Sequence, residues 1–213
     1  MVLERSFDEA SRARVAGAVR AAEAGSRGQV VPVVVARSDD YAEVRLRSAL
    51  LAASLVTVGL LLSPLHLTLT ELPVAQVAGG LLGWALGRLG PVERWLVGRV
   101  AMDQAVRSRA MRAFLEHGLH QTAEGTGVLL FASLLEREAV VLGDHGIHAR
   151  MGEAGWDEAV QALLAGLRRG DPGQGFEEAV ARCGARLAEH FPRDPAAGRP
   201  ANELADEIRV SRG

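Results

Sequence analysis

The middle of the chain contains two long apolar segments that carry almost no charge. No Asp, Glu or Arg occurs between Arg47 and Glu71, and none occurs between Glu71 and Arg88. A helix that packs on a soluble core needs a polar stripe toward water, and these segments offer almost none. We therefore predict a hairpin of two membrane helices, over residues 48–70 and 72–89.

Proline and glycine refine this hairpin. Pro64 leaves open a shorter first helix that ends near residue 62. Gly79, Gly83 and Gly87 recur every fourth residue, so they lie on one face of the second helix. Small residues at this spacing let membrane helices approach closely, and we expect this face to pack inside the hairpin or against another copy. A buried hairpin in a soluble core is the alternative.

The distribution of arginine predicts an orientation. Arginine flanks the two helices and is absent from the connecting segment 63–74; the flanking residues are Arg45, Arg47, Arg88, Arg94 and Arg99. The positive-inside rule then places the soluble domain and both termini in the cytoplasm. We expect an integral protein of the cell inner membrane with lipid as a direct partner. A re-entrant hairpin would have the same charge distribution.

The rest of the chain alternates between helical and strand patterns. Helices are predicted over 6–24, 92–120, 155–168 and 174–191, and strands over 29–36, 128–134 and 139–142. The predicted fold class is α/β, a small mixed-sheet sandwich with flanking helices, interrupted by the inserted transmembrane helical hairpin. Its domain organisation is 1–46 and 91–192 for the α/β domain, 47–90 for the hairpin and 193–213 for a flexible C-terminal tail.

The helix predicted over 92–120 has two different sides. Met111, Leu115 and Leu119 lie on one face at helical spacing, with Phe114 beside them. Arg107, Arg109 and Arg112 are assigned to the other side, where they either meet anionic lipid headgroups or are solvated.

Composition excludes several classes of protein. The formal net charge of -2 and the aromatic content of 4% argue against a nucleic-acid partner. Cys183 is the single cysteine, so an intrachain disulfide and a cysteine-rich zinc site are excluded. The chain also has no Gly-x-Ser-x-Gly or His-Glu-x-x-His motif, so no catalytic nucleophile or zinc protease motif is present.

Acidic residues near strand ends form the candidate metal site. Asp144 follows the third predicted strand, and Asp39 and Asp40 follow the first, so we expect them to converge, with Glu124 in support. Carboxylates and loop carbonyls suit a hard cation such as Ca²⁺ or Mg²⁺. The alternative is that these residues only cap turns and helices.

Four short motifs stand out in the second half of the chain: Gly125-Thr-Gly-Val-Leu-Leu-Phe-Ala-Ser133, the turn Glu136-Arg137, Val140-Val-Leu-Gly-Asp144 and the closing Leu187-Ala-Glu-His-Phe-Pro192. They resemble motifs of the TPM-domain family, in particular its membrane-protein branch. The resemblance implies a small α/β sandwich, with a helical membrane hairpin after the first strand in that branch. Some family members take part in photosystem repair in plants, and some bind divalent metal or show acid phosphatase activity.

Two functions from different classes follow. The first is a membrane-anchored interaction or assembly module on the cytoplasmic face, which binds an unidentified protein and associates with further copies through its membrane helices. The second is a divalent-metal-dependent hydrolase or phosphatase. We favour the first, because the chain carries only part of a carboxylate shell.

Overall fold

The computed structural model describes residues 7–63, 71–122, 125–151, 154–193 and 208–211. It forms two compact units, one of Met1–Asp39 with Asp103–Gly213 and the other of Asp40–Met102. The first unit holds a four-stranded sheet with helices, and the second is helical within its described residues. The predicted mixed α/β fold is confirmed.

The elements follow one another in this order. They are α1 (Glu9–Gly25), β1 (Gln29–Val35), α2 (Ala42–Leu62), α3 (Glu71–Leu86), α4 (Gly90–Val97), α5 (Arg99–Glu116), β2 (Gly127–Ser133), β3 (Glu138–Gly143), α6 (His145–Met151), α7 (Asp157–Arg169), α8 (Pro172–His190) and β4 (Arg209–Ser211). Short 3-10 helices span Leu119–Gln121 and Ala154–Trp156.

The sheet has the strand order β3-β2-β1-β4. β1 is parallel to β2 and to β4, whereas β2 and β3 form an antiparallel hairpin. Gln29 of β1 aligns with Gly127 of β2, and Val128 aligns with Gly143 of β3. The carboxyl end of β3 therefore lies at the edge of the sheet where β1 begins.

Both faces of the sheet are buried, which explains the uninterrupted apolar runs of β1 and β2. On one face, Val31, Val33 and Val35 pack with Leu129 and Phe131 against α5. On the other face, strand residues pack against α1, α7 and α8; they are Val30, Val34, Val128, Leu130 and Ala132. The sheet is the middle layer of three.

The buried side of α5 only partly coincides with the apolar face seen in the sequence. Ala110, Ala113 and Phe114 are buried against the sheet, while Met111 and Leu115 are each 52% exposed. Small residues on the buried side let the helix lie close to the strands. Of the apolar residues grouped on one face in the sequence, Leu119 and Phe114 are buried.

Part of the predicted flexible tail is a strand. Arg209, Val210 and Ser211 form β4, which pairs in parallel with Val33–Val35 of β1. Ile208 is 7% exposed and belongs to the hydrophobic core. Burial of Ile208 and pairing with β1 order this part of the tail.

In the second unit, the first apolar segment is a single helix. α2 begins at Ala42 and ends at Leu62, the shorter end point that Ser63-Pro64 left open. Its 21 residues correspond to roughly 30 Å of helix. Among the described residues, α2 is the one helix long and apolar enough to cross a membrane. α3 packs against it and has 16 residues.

Candidate functional site

Asp144 begins helix α6 with both its backbone and its side chain. Its carbonyl accepts a hydrogen bond from the backbone N–H of His148 at 2.9 Å, and its carboxylate accepts one from the N–H of His145 at 2.7 Å. Nδ1 of His145 lies 3.1 Å from the same carboxylate oxygen. Asp144 therefore occupies the residue before α6 and accepts the first hydrogen bond of the helix, and its role as a metal ligand stays a prediction.

Asp39 and Asp144 do not converge. Asp39 follows the carboxyl end of β1, whereas Asp144 lies where β1 begins, because β3 runs antiparallel to β2. The seven residues of β1 separate these two edges by roughly 20 Å. The carboxyl ends of strands lie at one edge of a sheet only when the strands are parallel, and β3 is antiparallel to β2.

The other two predicted ligands are placed differently. Asp40 belongs to the second unit, where its carboxylate pairs with Arg45 at 3.1 Å and its carbonyl accepts a hydrogen bond from the same guanidinium at 2.7 Å. Glu124 lies outside the described residues. Within the described ranges, no group of three or more His, Cys, Asp or Glu residues is arranged to hold a metal ion.

A buried carboxylate that sequence reasoning did not propose as a site residue lies in the turn between β2 and β3. Glu136 is 3% exposed and accepts hydrogen bonds from Oγ of Ser133 and, at 2.9 Å, from the backbone N–H of Ser38. It thereby fastens the segment after β1 to the β2–β3 turn. The sequence signal was weak, because an acidic residue in a turn normally faces water.

A slot of about 250 Å³ lies along the outer edge of β3. Its base is Ala139–Gly143, one wall carries Arg107 of α5, and the other carries His148, Trp156, Asp157 and Val160. The walls lie on opposite faces of the sheet, since α5 packs on one face and α7 on the other. Sequence reasoning missed this site, because it depends on which strand is at the edge.

The three spaced glycines form the contact between α2 and α3. Gly79, Gly83 and Gly87 are all buried. A Cβ atom placed on Gly79 would meet Val56, and one placed on Gly83 would lie 2.5 Å from the carbonyl oxygen of Ser48. The contacts advance along α3 as they recede along α2, so the helices are antiparallel.

Polar side chains within this helix pair are satisfied by the pair itself. Gln76 donates a hydrogen bond from Nε2 to Oγ1 of Thr57 at 2.8 Å, across the two helices. Thr57 donates to the carbonyl of Ala53 at 3.0 Å, and Ser54 donates to the carbonyl of Leu50 at 2.8 Å. These side chains do not depend on water for hydrogen bonds.

Comparison with known proteins identifies the domain that contains the β3 edge. Residues 97–186 match the family model of the TPM domain. This part of the chain is similar to a TPM domain. The match runs from the end of α4 into α8, so it includes the slot and the Asp144 cap. The family resemblance seen in the sequence is confirmed.

A solved structure supports the fold. The NMR structure of the BA42 protein from the psychrophilic bacterium Bizionia argentinensis has a TM-score of 0.58 and 16% sequence identity to this chain. The alignment covers 96% of this chain and 94% of BA42. At this identity the similarity shows a shared fold. No curated protein matches the chain.

Proposed function

We propose that this protein is a TPM domain anchored in the cell inner membrane by the α2–α3 hairpin, where it binds a protein partner on the cytoplasmic face. The exposed surface of the hairpin carries this proposal. Large apolar side chains on both helices are more than half exposed: Leu50, Leu51, Leu55, Val58, Leu61, Leu62, Val74, Val77, Leu81 and Leu82. A monomeric soluble protein rarely leaves such a continuous apolar surface in water.

The contacts between α2 and α3 also support a membrane environment for the hairpin. In hydrocarbon, polar groups must find partners within the protein, and Gln76, Thr57 and Ser54 do so. The close glycine contact between α2 and α3 is also typical of membrane helices. Because Gly79, Gly83 and Gly87 are occupied within the hairpin, association with further copies would use another face.

Arginine placement supports an orientation with both ends of the hairpin in the cytoplasm. Arg45 and Arg47 lie in the first turns of α2, and Arg88 and Arg94 follow α3. Arg88 lies over the ring of Trp84 at 4.5 Å, a pairing that suits the boundary between hydrocarbon and headgroups. The TPM-like domain would then be on the cytoplasmic side of the membrane.

The interaction role is supported by the open edge of the sheet and its slot. The hydrolase alternative has less support, because its candidate carboxylates Asp39 and Asp144 lie at opposite edges of the sheet. The open edge of β3 therefore favours a binding role over hydrolysis.

Alkaline extraction of membranes tests the anchor. We expect the chain to stay in the pellet, because α2 and α3 expose apolar side chains that favour hydrocarbon by about 0.3–0.6 kcal/mol each. A variant with Leu55→Arg and Leu82→Arg, which places two charges on exposed positions, should be released more readily. Release of the intact wild-type chain would refute the anchor.

Cysteine labelling tests the orientation. The only native cysteine, Cys183, is buried, and burial raises the pKa of its thiol, so it should not react. A membrane-impermeant maleimide should label Ser63→Cys at the end of α2 from outside the cytoplasm, and Ser108→Cys in α5 only after lysis. Labelling of Ser63→Cys only after lysis would instead indicate a re-entrant hairpin.

A further inference from the structure

The outer edge of β3 has unpaired backbone groups within the described chain. β3 is one end of the strand order, and the three-residue β4, which pairs with Val33–Val35 of β1, is the other end. Natural proteins usually protect an edge strand with proline, lysine or a bulge. β3 is Glu-Ala-Val-Val-Leu-Gly, with its only charge at the first residue, Glu138. Such an edge is suited to pairing with another extended segment.

The slot fits a single strand. Its base includes five consecutive β3 residues, and its walls rise on both faces of the sheet. Val141 packs toward the α7 side, whereas Val140 and Leu142 pack toward the α5 side. A strand added here would alternate its side chains in the same way, placing one set beside Arg107 and the other beside Trp156, Asp157 and Val160.

The charges on the two walls of the slot indicate which charged residues a bound strand would carry. Arg107 and Asp157 have no ion-pair partner among the residues that the structure describes. They lie on opposite walls, so a strand with an acidic residue toward Arg107 and a basic residue toward Asp157 would pair both. Successive side chains of a strand point to opposite faces, so these residues must be an odd number of positions apart.

The same charges argue against a second copy of this chain. Two β3 strands that pair antiparallel are related by a two-fold axis perpendicular to the sheet, which keeps equal faces on the same side. Arg107 of one copy would then face Arg107 of the other, and Asp157 would face Asp157. Like charges at this position oppose the dimer.

We propose that β3 binds an extended segment of a partner protein as a fifth strand of the sheet, in which an acidic and a basic residue at odd spacing flank uncharged, apolar residues. The apolar side chains contact Trp156 and Val160 in the slot. This inference rests on the interaction role within the proposed function and names its binding mode. The charge rule depends only on the faces of the strand, so it applies to parallel and antiparallel addition alike.

Synthetic peptides test the spacing rule on the full chain in detergent micelles. The probe is a fluorescent peptide of about nine Val and Thr residues that also carries one Asp and one Arg at odd spacing. Its control has the same composition with the charges at even spacing, so that both point to one face. By fluorescence anisotropy we expect about tenfold tighter binding of the odd-spaced peptide.

Peptide N-methylation tests whether the backbone pairs with β3. Methylation of the peptide amides whose N–H groups point toward β3 should remove binding. Methylation of the amides that point away from β3 should leave binding unchanged. Equal effects of the two patterns would overturn strand addition.

Charge-reversal variants test whether Arg107 pairs with the acidic residue of the peptide. Arg107→Glu should weaken the odd-spaced peptide about fivefold, and replacing the peptide Asp by Arg should restore the loss. Arg112→Glu makes the same change at an exposed position of α5 outside the slot and should have no effect. Equal effects of the two variants, or equal binding of the odd- and even-spaced peptides, would refute the proposal.

Light scattering supplies a separate check on the occupant. If the chain is a dimer that Arg107→Ala strengthens, because it removes the facing like charges, and that excludes the peptide, the occupant is a second copy and the proposal is wrong. Because the binding measurements are made in micelles, they do not depend on membrane anchoring. Failure of alkaline extraction to retain the chain would contradict the anchor alone.

Discussion

Replacement of Gly83 by alanine should separate helices α2 and α3. A Cβ atom at Gly83 would lie 2.5 Å from Cβ of Ala52 and 2.5 Å from the carbonyl oxygen of Ser48. The oxygen belongs to the backbone of α2, so no side-chain rotation relieves the contact. Gly80 is a matched control, because its Cβ would lie 3.7 Å from the carbonyl oxygen of Ala49 and 3.8 Å from Ala53.

The expected magnitude follows from the difference between the two variants. Both substitutions favour helix formation by about 1 kcal/mol, so this contribution cancels in the comparison. Ordinary carbon contacts begin near 3.5 Å, so Gly83→Ala requires the helices to move apart by roughly 1 Å. Overpacking of this kind costs about 1–3 kcal/mol. Gly83→Ala should therefore be about 1–3 kcal/mol less stable than Gly80→Ala.

Thermal unfolding of the full chain in one detergent, followed by circular dichroism, measures this difference. For a chain of 213 residues, about 1 kcal/mol corresponds to a change in Tm of roughly 2–4 °C. We expect Gly83→Ala to melt several degrees below Gly80→Ala. If the two variants melt together, or if Gly83→Ala is the more stable, the close packing of α2 on α3 is not what the contacts imply.

Two further predictions concern the region that is similar to a TPM domain. Asp144→Ala should lower the free energy of unfolding by about 1 kcal/mol with or without Ca²⁺, because it removes the cap of α6, while Asp144→Asn should retain most of the stability. If Ca²⁺ stabilises the wild type and Asp144→Ala removes that effect in a thermal shift assay, Asp144 is a metal ligand. Burial, with a contribution from Arg209, lowers the pKa of His117 below its ordinary value of 6.5. The unfolded chain then binds the proton more readily, so stability should fall as the pH falls below 6.5, and His117→Gln should reduce this slope in Tm. An unchanged slope would contradict the assignment to His117.

The sequence predicted features that depend on local periodicity. Gly79, Gly83 and Gly87 lie on one face of any helix, so the predicted face follows from helical geometry and coincides with the α2–α3 contact. The apolar run of β1 also predicts a buried strand, since its valines fill both faces of the sheet.

Features that depend on distant partners were not predictable in this way. On α5 the apolar face seen in the sequence does not identify the buried side, because Ala110 and Ala113 are buried while the larger Met111 and Leu115 are exposed. The distance between helix and sheet favours small residues there, and a single sequence does not reveal it. β4 is three residues long and carries too little pattern to be recognised.

The candidate site depended on strand direction. Asp39 and Asp144 each follow a strand, but the reversal between β2 and β3 places them at opposite edges. The slot was missed for a related reason, since edge position is a property of the whole sheet. Spacing along the chain contains neither direction nor edge position.

The parallel pairing of β1 with β2 has a consequence for biosynthesis. The ribosome makes Val35 92 residues before Gly127 (127 − 35), and the hairpin emerges in between. At a synthesis rate of about 5–20 residues per second, β1 is present for roughly 5–20 s before its first partner strand is made. During this time an uncharged, valine-rich segment is open to association with other nascent chains. Pro32 lies within that segment, and a proline there impedes such association until β2 has been made.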